Sequence, residues 1–412
     1  MNHTTNTSCQ RIGILGDGQL ARMLALAAYD YGLRPVLLTE DANSSAGQVC
    51  PLQVRGSFKS KTDVHTLLSQ VDVAIIESEF INCDVIEATG LADRVYPNIA
   101  ALRLLQNKLE QKRLLMRLNI PTSKLFEQDR LKSDWIEELL TKERGQVVLK
   151  FATLGYDGKG VCILDGQDSD RKKMEDFLNE ASSRRIDVFA ESKIAFLNEY
   201  AMVGVRSING DFIHYPLVET HQRNGVCRHI VGPATAFGAQ SSLEVASAKI
   251  CKKIAEELKI VGTFAIEFFL DPAGQLLVNE IAPRVHNTGH FTQNIFATSQ
   301  FENHIQAVLG SRLIQPETPN FFAMYNFLGP DGVFGTVSAP IPKVHSNGHS
   351  NVHLHWYGKS GISPRRKLGH INFSSNDLTK REEALLHMEQ IIKNWEDETR
   401  KVIPPYNMEI RL

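Results

Sequence analysis

The sequence predicts an α/β (α+β) protein, with a parallel sheet near the N-terminus and antiparallel strands further along the chain. Short apolar segments alternate with helical segments in the N-terminal part. Further on, Asn209-Gly210 is a strong hairpin signal, and residues 272–274 (Pro-Ala-Gly) form a second turn between strand-like segments. A chain of 412 residues is long enough for two or three domains with a large core.

The N-terminal alternation of strand, helix and strand implies a parallel sheet with helices on its faces. We predict strands over 11–16, 35–39 and 71–77, and helices over 19–31, 63–70 and 107–118. Pro121 ends the last of these helices. Residues 1–10 are polar and are predicted to be a disordered lead-in, and the first domain is placed at 11–107.

The remaining elements follow from apolar segments and turn residues. Strands are predicted over 146–151, 188–191, 199–207 and 212–219, and helices over 246–258, 301–309 and 378–395. A further hairpin lies between the helices at 246–258 and 301–309, and residues 316–319 look like a linker into a smaller third domain with short strands.

Composition excludes several function classes. The net charge of −2 gives no sign of a nucleic-acid partner. No apolar run approaches the ~18 residues that span a membrane, and the N-terminus lacks a hydrophobic signal core. The six cysteines are scattered without a CxxC pair, which favours reduced thiols in a cytoplasmic protein.

The first motif resembles a dinucleotide fingerprint. Gly16, Gly18 and Ala21 follow the first strand as GxGxxA, and Glu40 and Asp41 lie where an NAD site places its acid. A helix N-terminus binds any phosphate, however, and a tight turn also fits the pattern. NAD, another phosphate ligand and plain packing therefore remain open from this motif, while the later motifs argue against NAD.

Two carboxylates carry the clearest chemistry. Glu267 and Glu280 lie on the two strands around the Pro-Ala-Gly turn, and Asn279 stands beside the second. Facing carboxylates suit a hard cation that also holds phosphate oxygens. The loop that follows contains Arg284 and His286 and suits an anionic substrate, so the segment predicts phosphoryl transfer to a small acid.

A glycine-rich loop, GYDGKG at 155–160, adds a second candidate site. Glycines allow close approach to phosphates, and Lys159 adds a mobile charge; a surface turn is the alternative. Several other charged residues are candidate nucleotide contacts, with solvated surface groups as the alternative: Lys108, Lys150, Glu191 and Glu199.

Seven segments together resemble one family of ATP-grasp enzymes, the carboxyaminoimidazole ribonucleotide synthetases (PurK family) of purine biosynthesis. These are GILGDGQLARMLALAA, YPNIAALRLLQNKLEQKRLLMRLNIPT, GYDGKG, YPLVET, VNEIAPRVHNTGH, TSQFENH and HWYGKSGISPRRKLGH, in family order from about 11 to 375. The resemblance implies an ATP-grasp fold with a Rossmann-like N-terminal domain. It implies an ATP-grasp domain at 108–315, with subdomains 108–190 and 191–315, and a small β-rich C-terminal domain at 316–412.

The resemblance also implies a reaction. ATP and two magnesium ions would convert bicarbonate to carboxyphosphate. The exocyclic amine of aminoimidazole ribonucleotide would then become a carbamate, with release of ADP and phosphate. A cytoplasmic homodimer is expected, with no NAD, nucleic acid or membrane partner.

Site roles follow from the resemblance position by position. Metal ligands would be Glu267 and Glu280. ATP contacts would be Lys108, Lys150, Gly155, Gly158, Glu191, Glu199 and Asn279. Catalytic residues would be Arg284, His286, Asp157 and Lys159, with the first two holding bicarbonate. Acceptor contacts would be Gly18, Gln19, Leu20, Glu79, Tyr156, Asp157, Lys359 and Arg366, the last two clamping the ribonucleotide phosphate.

The chain departs from the family pattern at several positions. Two arginines expected before GYDGKG are missing from Ala152-Thr153-Leu154, and an EFEN segment reads Glu77-Ser78-Glu79-Phe80. Lys193, Asn198 and Gln222 are further departures. They leave open an ATP-grasp ligase with a different acid or amine, and a non-enzymatic nucleotide-binding protein is a third hypothesis.

Several remaining histidines and charged residues are mostly predicted to have structural or surface roles. His345, His349, His353 and His355 are predicted to be loop and strand histidines rather than metal ligands. His370 is predicted to be structural or adjacent to the substrate. Lys112-Arg113 and residues 171–173 are predicted to be solvated helix faces.

Overall fold

The computed structural model describes residues 10–126, 133–143, 145–155, 158–167, 169–344 and 351–403. Its N-terminal part is a five-stranded sheet of order β3-β2-β1-β4-β5, in which every described pair is parallel. The elements are β1 (Arg11–Leu15), α1 (Gln19–Asp30), β2 (Arg34–Thr39), β3 (Gln53–Arg55), α2 (Lys61–Leu68), β4 (Val73–Ile76), α3 (Cys83–Glu87), β5 (Val95–Tyr96), α4 (Ile99–Leu105) and α5 (Lys108–Arg117). The predicted parallel sheet is therefore confirmed.

The strand order creates a crevice at one edge of this sheet. The chain leaves β1 toward β2 on one side and later returns to β4 on the other side. At such a switch point the loops after the two strands diverge, and ligands bind between them. The loop 16–18 after β1 and the segment 77–80 after β4 therefore face a common crevice.

A second, four-stranded antiparallel sheet follows, of order β6-β9-β7-β8. Its elements are β6 (Leu125–Phe126), α6 (Ser133–Lys142), β7 (Gln146–Phe151), β8 (Val161–Asp165), α7 (Asp170–Arg184) and β9 (Val188–Ser192). Phe151 and Phe177 stack at 4.5 Å between ring centroids and join α7 to the sheet. This lobe carries the glycine-rich loop between β7 and β8.

The third sheet has nine strands and runs β15-β14-β10-β12-β13-β16-β18-β17, with β11 paired to β10. Its elements are β10 (Asn198–Arg206), β11 (Phe212–His214), β12 (Val218–Arg223), β13 (Val226–Gly232), α8 (Ser241–Leu258), β14 (Gly262–Leu270), β15 (Leu276–Ala282), α9 (Gln300–Leu309), β16 (Phe321–Leu328), β17 (Val352–Trp356), β18 (Lys367–Ser375) and α10 (Arg381–Val402). Because β13 pairs with β16, the last three strands extend one sheet across the 316–319 segment.

Three predicted elements differ from the structure. The strand expected over 212–219 is two strands, because Pro216 has no N–H for a ladder and lies between β11 and β12. The last helix begins at Arg381, after a 3-10 turn capped by Asp377, and continues to Val402. α8 begins at Ser241, earlier than predicted.

None of the helices in the described part of the chain combines the length and apolar character needed to cross a bilayer. Five of the six cysteines lie in the described residues, and all five are free and buried: Cys50, Cys83, Cys162, Cys227 and Cys251. This agrees with the reduced thiols expected from their spacing.

Candidate active site

The predicted carboxylate pair is formed by neighbouring strands. Glu267 on β14 lies directly opposite Glu280 on β15, and a β-bulge follows immediately because Phe268 pairs with Val278. Asn279 is the extra residue of this bulge, which interrupts the alternation of side chains along the strand. Asn279 and Glu280 therefore both accept from lysines outside the hairpin, Asn279 from Lys150 on β7 and Glu280 from Lys108 on α5.

The pair carries excess negative charge. Burial, together with the carboxylates of Glu280 and Glu199, raises the pKa of Glu267 to about 7. Lys108 partly compensates, since its Nζ donates to Glu280 Oε2 at 2.8 Å. Two carboxylates and an amide oxygen are the hard donors that Mg²⁺ prefers, so the residues fit the expected metal.

Lys108 is fixed at the first turn of α5. The Asn107 side chain caps this helix by accepting from the amides of Leu109 and Glu110, and the Lys108 amide donates to Ala152 O at 2.7 Å. The backbone is therefore anchored at both sides of the lysine, and its ammonium is directed at the carboxylate pair.

Lys150 on β7 connects the four-stranded sheet with the hairpin of the nine-stranded sheet. Its Nζ lies 2.5 Å from Glu191 Oε1 and 3.1 Å from Asn279 Oδ1. Burial alone would raise the pKa of Glu191, but the ammonium groups of Lys150 and Lys112 outweigh it and hold the pKa at about 2. Glu191 is 3% exposed. The alternative that it faces water is therefore wrong, and the carboxylate is a buried partner of Lys150 and Lys112.

Lys112 was wrongly predicted to be a solvated surface residue. It is 2% exposed, and its Nζ lies 2.9 Å from Glu191 Oε2 and within 2.7 Å of the hydroxyls of Thr122 and Ser123. A local signal existed, because Lys112 lies one turn beyond Lys108 on the same helix face. Its neighbour Arg113 is exposed and pairs with Glu110, as predicted for a solvated face.

Glu199 and the glycine-rich loop complete this side of the site. Burial raises the pKa of Glu199, at the start of β10, to about 7. Gly155 is buried, and a Cβ built on it would lie 3.8 Å from Lys108 Nζ, so the loop starts over that lysine. Gly158 and Lys159 are exposed, and Tyr156 and Asp157 lie outside the described residues.

Arg284 and Glu79 meet between two domains. The guanidinium of Arg284, after β15, binds both oxygens of the Glu79 carboxylate after β4, with Nη2 to Oε1 at 2.8 Å. Burial opposes ionisation of Glu79, yet Arg284 prevails and lowers the pKa of Glu79 to about 2. His286 lies two residues on, and its Nδ1 is 2.8 Å from Thr288 Oγ1.

The predicted acceptor residues that the structure describes come from three separate segments, namely 18–20, Glu79 after β4, and the loop with Lys359 and Arg366. Gly18 and Gln19 begin α1, whereas the Leu20 side chain is only 6% exposed and belongs to the core. Lys359 and Arg366 lie between β17 and β18, where Lys359 Nζ is 5.6 Å from the Tyr357 ring and Arg366 Nη1 donates to Gly361 O at 2.9 Å.

The loop after β17 is held against the parallel sheet. Ser45 Oγ donates to Tyr357 O and Gln48 Nε2 donates to Gly358 O, both at 2.6 Å. His370 is buried and its Nδ1 lies 2.8 Å from the Tyr357 hydroxyl. These contacts hold the C-terminal loop against the segment that follows β2 in the N-terminal sheet.

The predicted surface and strand residues are also found. Residues 171–173 are exposed on α7, and His353 and His355 lie on β17. His345 and His349 lie outside the described residues.

The protein families that match this chain do so in the same order along the sequence as the predicted domains. Three family models match: a ribonucleotide synthetase preATP-grasp domain at 9–106, an ATP-grasp domain at 113–301, and a phosphoribosylaminoimidazole carboxylase C-terminal domain at 323–384. The fold and site thus define a protein of the ATP-grasp class, as predicted.

Individual relatives show which family within the ATP-grasp class this chain resembles. The N5-carboxyaminoimidazole ribonucleotide synthase of Synechococcus elongatus is 32% identical over 401 residues, covering 93% of this chain and 94% of that protein. The synthetase structure from Thermus thermophilus is 32% identical with a TM-score of 0.78, covering 92% of this chain and 98% of that one. An Aspergillus clavatus synthase solved with ADP and aminoimidazole ribonucleotide has a TM-score of 0.80 at 25% identity, covering 95% of this chain and 100% of that one. The chain belongs to the N5-carboxyaminoimidazole ribonucleotide synthase family.

Proposed function

We propose that the protein is an ATP-dependent carbon–nitrogen ligase of de novo purine biosynthesis. It carboxylates the exocyclic amine of 5-aminoimidazole ribonucleotide with bicarbonate, through carboxyphosphate, and forms the carbamate, ADP and phosphate. The observation that carries this proposal is the bulged hairpin, which gathers Glu267, Asn279 and Glu280 beside Lys108 and Lys150.

The lysines are suited to the nucleotide phosphates. Both are directed into the site by a carboxylate or amide partner, so a phosphate could replace a contact that already exists. Glu267 and Glu280 would hold two magnesium ions, which would neutralise charge on the transferred phosphoryl group. Glu199, Gly155 and Gly158 would contact the rest of the nucleotide.

Bicarbonate is a poor electrophile, and its phosphorylation supplies a leaving group. Arg284 and His286 lie beyond the carboxylate pair along the chain and would hold bicarbonate and then carboxyphosphate. Glu79 keeps the guanidinium oriented through its paired contact. Asp157 and Lys159, with Tyr156, would line the amine site, and the glycine-rich loop would close over the labile intermediate.

The acceptor would lie between the first and last domains. Gly18, Gln19, the backbone of Leu20, Lys359 and Arg366 would surround its ribose phosphate. We also propose the domain limits of 11–107, 108–315 and 316–412, a homodimer, and a cytoplasmic location.

Phosphate release from Mg-ATP tests the proposal directly. Purified protein is assayed with bicarbonate, with and without aminoimidazole ribonucleotide, and the carbamate is measured in parallel. We expect strong stimulation by the ribonucleotide. ATP binding without such stimulation would refute this acceptor and favour a different acid or amine.

A further inference from the structure

A small polar cavity lies apart from the proposed catalytic residues, between the β12–β13 hairpin, the end of β16 and α10. Its volume is about 130 Å³, whereas a water molecule takes up ~30 Å³ in the liquid. A tetrahedral oxyanion therefore fits into it. Six charged side chains line the cavity: Arg223, Arg228, Arg365, Arg400, Asp331 and Glu396.

The lining carries excess positive charge. Arg228 Nη2 lies 3.2 Å from Glu396 Oε1, and Arg365 Nε lies 3.9 Å from Asp331 Oδ1. These two ion pairs account for both carboxylates of the lining. Four guanidinium groups against two carboxylates therefore leave a net charge of +2.

The excess charge belongs to Arg223 and Arg400, because no carboxylate among the described residues forms an ion pair with either of them. Arg400 is oriented nonetheless, since its Nη1 donates to the backbone oxygen of Asp331 at 2.8 Å. Like charges that line one cavity repel each other, and an anion bound between them removes this repulsion.

The backbone of Arg223 is fixed by the turn that follows it. Asn224 and Gly225 have φ angles of +54° and +73°, and Arg223 pairs with Val226 across them. This is a two-residue hairpin turn with the Asn-Gly sequence that type I′ turns favour. The end of β12 therefore holds Arg223 in the wall of the cavity.

We propose that this cavity binds a phosphate group, free or as an ester, through Arg223 and Arg400 with Arg228 beside them. A phosphate ester carries a charge of about −1.5 to −2 at pH 7, which matches the excess positive charge. Guanidinium groups form paired N–H contacts with phosphate oxygens, and a carboxylate would offer only two oxygens. The described lining includes none of the residues assigned to the acceptor phosphate, such as Lys359 and Arg366, so this is a second anion site.

The site adjoins the glycine-rich loop. A Cβ built on Gly158 would lie 3.2 Å from both Asn224 O and Gly225 Cα, so the loop rests on the β12–β13 turn. A phosphate held between Arg223 and Arg400 joins this turn to α10. The anion therefore stabilises the surface against which the loop packs, and amide hydrogen exchange of residues 224–226 should slow when phosphate is bound.

Calorimetry with inorganic phosphate tests the site in the full chain, at constant ionic strength because salt screens exposed charges. Arg223→Gln and Arg400→Gln should each raise the phosphate Kd at least ~10-fold, because each removes a charge-assisted hydrogen bond. The matched control is Arg117→Gln, which removes an exposed arginine that pairs with Glu257 at 3.4 Å and should leave the Kd unchanged. An equal Kd in all three variants, or binding no tighter than that of chloride, would overturn the proposal.

Arg366→Ala separates the cavity from the acceptor clamp. This variant should retain the phosphate binding that Arg223→Gln and Arg400→Gln weaken. Loss of binding in Arg366→Ala, with full binding in Arg223→Gln, would place the anion at the clamp and overturn the proposal.

Ribose 5-phosphate, titrated into Arg366→Ala, identifies the source of the phosphate group. A Kd equal to that of inorganic phosphate shows that the cavity accepts an ester, and a much weaker one shows that it takes the free anion. These titrations involve no turnover, so their outcome is independent of the proposed reaction.

Discussion

Replacing Lys112 by methionine tests the buried network behind the nucleotide site. Methionine retains the apolar stem but removes the ammonium, which contacts Glu191 Oε2 at 2.9 Å and the hydroxyls of Thr122 and Ser123 at 2.7 and 2.6 Å. Glu191 keeps Lys150 as a partner at 2.5 Å. The carboxylate is thus left with one cation in place of two.

The expected loss of stability follows from burial. Removing one partner from a buried ion pair costs ~3–5 kcal/mol, and the remaining Lys150 contact places Lys112→Met at the lower end. The matched control is Lys142→Met, whose partner Glu138 is 2.6 Å away, with side chains 68% and 60% exposed. An exposed i,i+4 pair of this kind contributes only ~0.3–0.5 kcal/mol.

Urea titration of the two variants and the natural chain measures the difference in free energy of unfolding. A loss below ~1 kcal/mol for Lys112→Met would refute the assignment of a buried, stabilising ammonium. We also expect the ATP Kd to rise, because Glu191 then holds Lys150 more strongly. An unchanged ATP Kd together with a large stability loss would restrict Lys112 to a structural role.

Three further predictions concern the site. The pKa of Glu267 near 7 means that the metal-free folded chain keeps a proton on this carboxyl that the unfolded chain releases, so the stability contributed by Glu267 should fall as pH rises from about 4.5 to about 7. Buried histidines with a lowered pKa, such as His304, act in the opposite direction, so urea titrations compare the natural chain with Glu267→Gln across this range. The free energy of unfolding of the natural chain should fall relative to that of the variant as pH rises, and a difference that is constant or changes in the opposite direction would contradict the assigned pKa. Glu280→Ala should lower phosphate release from Mg-ATP by more than ~100-fold; retained turnover would remove Glu280 from the metal site. Arg366→Ala should raise the KM for ribonucleotide by about tenfold with little change in kcat, whereas Arg365→Ala, which removes an exposed neighbour 3.9 Å from Asp331, should change neither value.

Local patterns predicted the reactive hairpin well. The turn residues and the two apolar strands predict that Glu267 and Glu280 face one another across a hairpin, and the structure confirms this. The regular register next to the turn, Phe268 opposite Val278, would continue with Glu267 opposite Asn279, so it is the bulge that places Glu280 opposite Glu267. This bulge is not visible in the strand pattern. It depends on the fit of β15 against its neighbours.

The site features that could not be predicted from the sequence depend on long-range contacts. Lys112 looks like part of a charged helix surface, because its partner Glu191 lies on a strand of another lobe. Glu77 similarly reaches Gly18 across the parallel sheet. Neither contact has a periodic signal, since each depends on how separate elements are packed together.

The pairing of β13 with β16 has a consequence for how the chain can be divided. Every residue of β16 is buried, and its ladder partner belongs to the preceding domain. A chain ending at 315 would therefore leave unpaired the backbone groups on the side of β13 that faces β16, and a large apolar face uncovered, which promotes edge-to-edge association. The last three strands of the sheet, β16, β18 and β17, continue the same sheet that carries the hairpin of the nucleotide site. Loss or truncation of the C-terminal part would therefore damage the nucleotide site through the sheet that supports it.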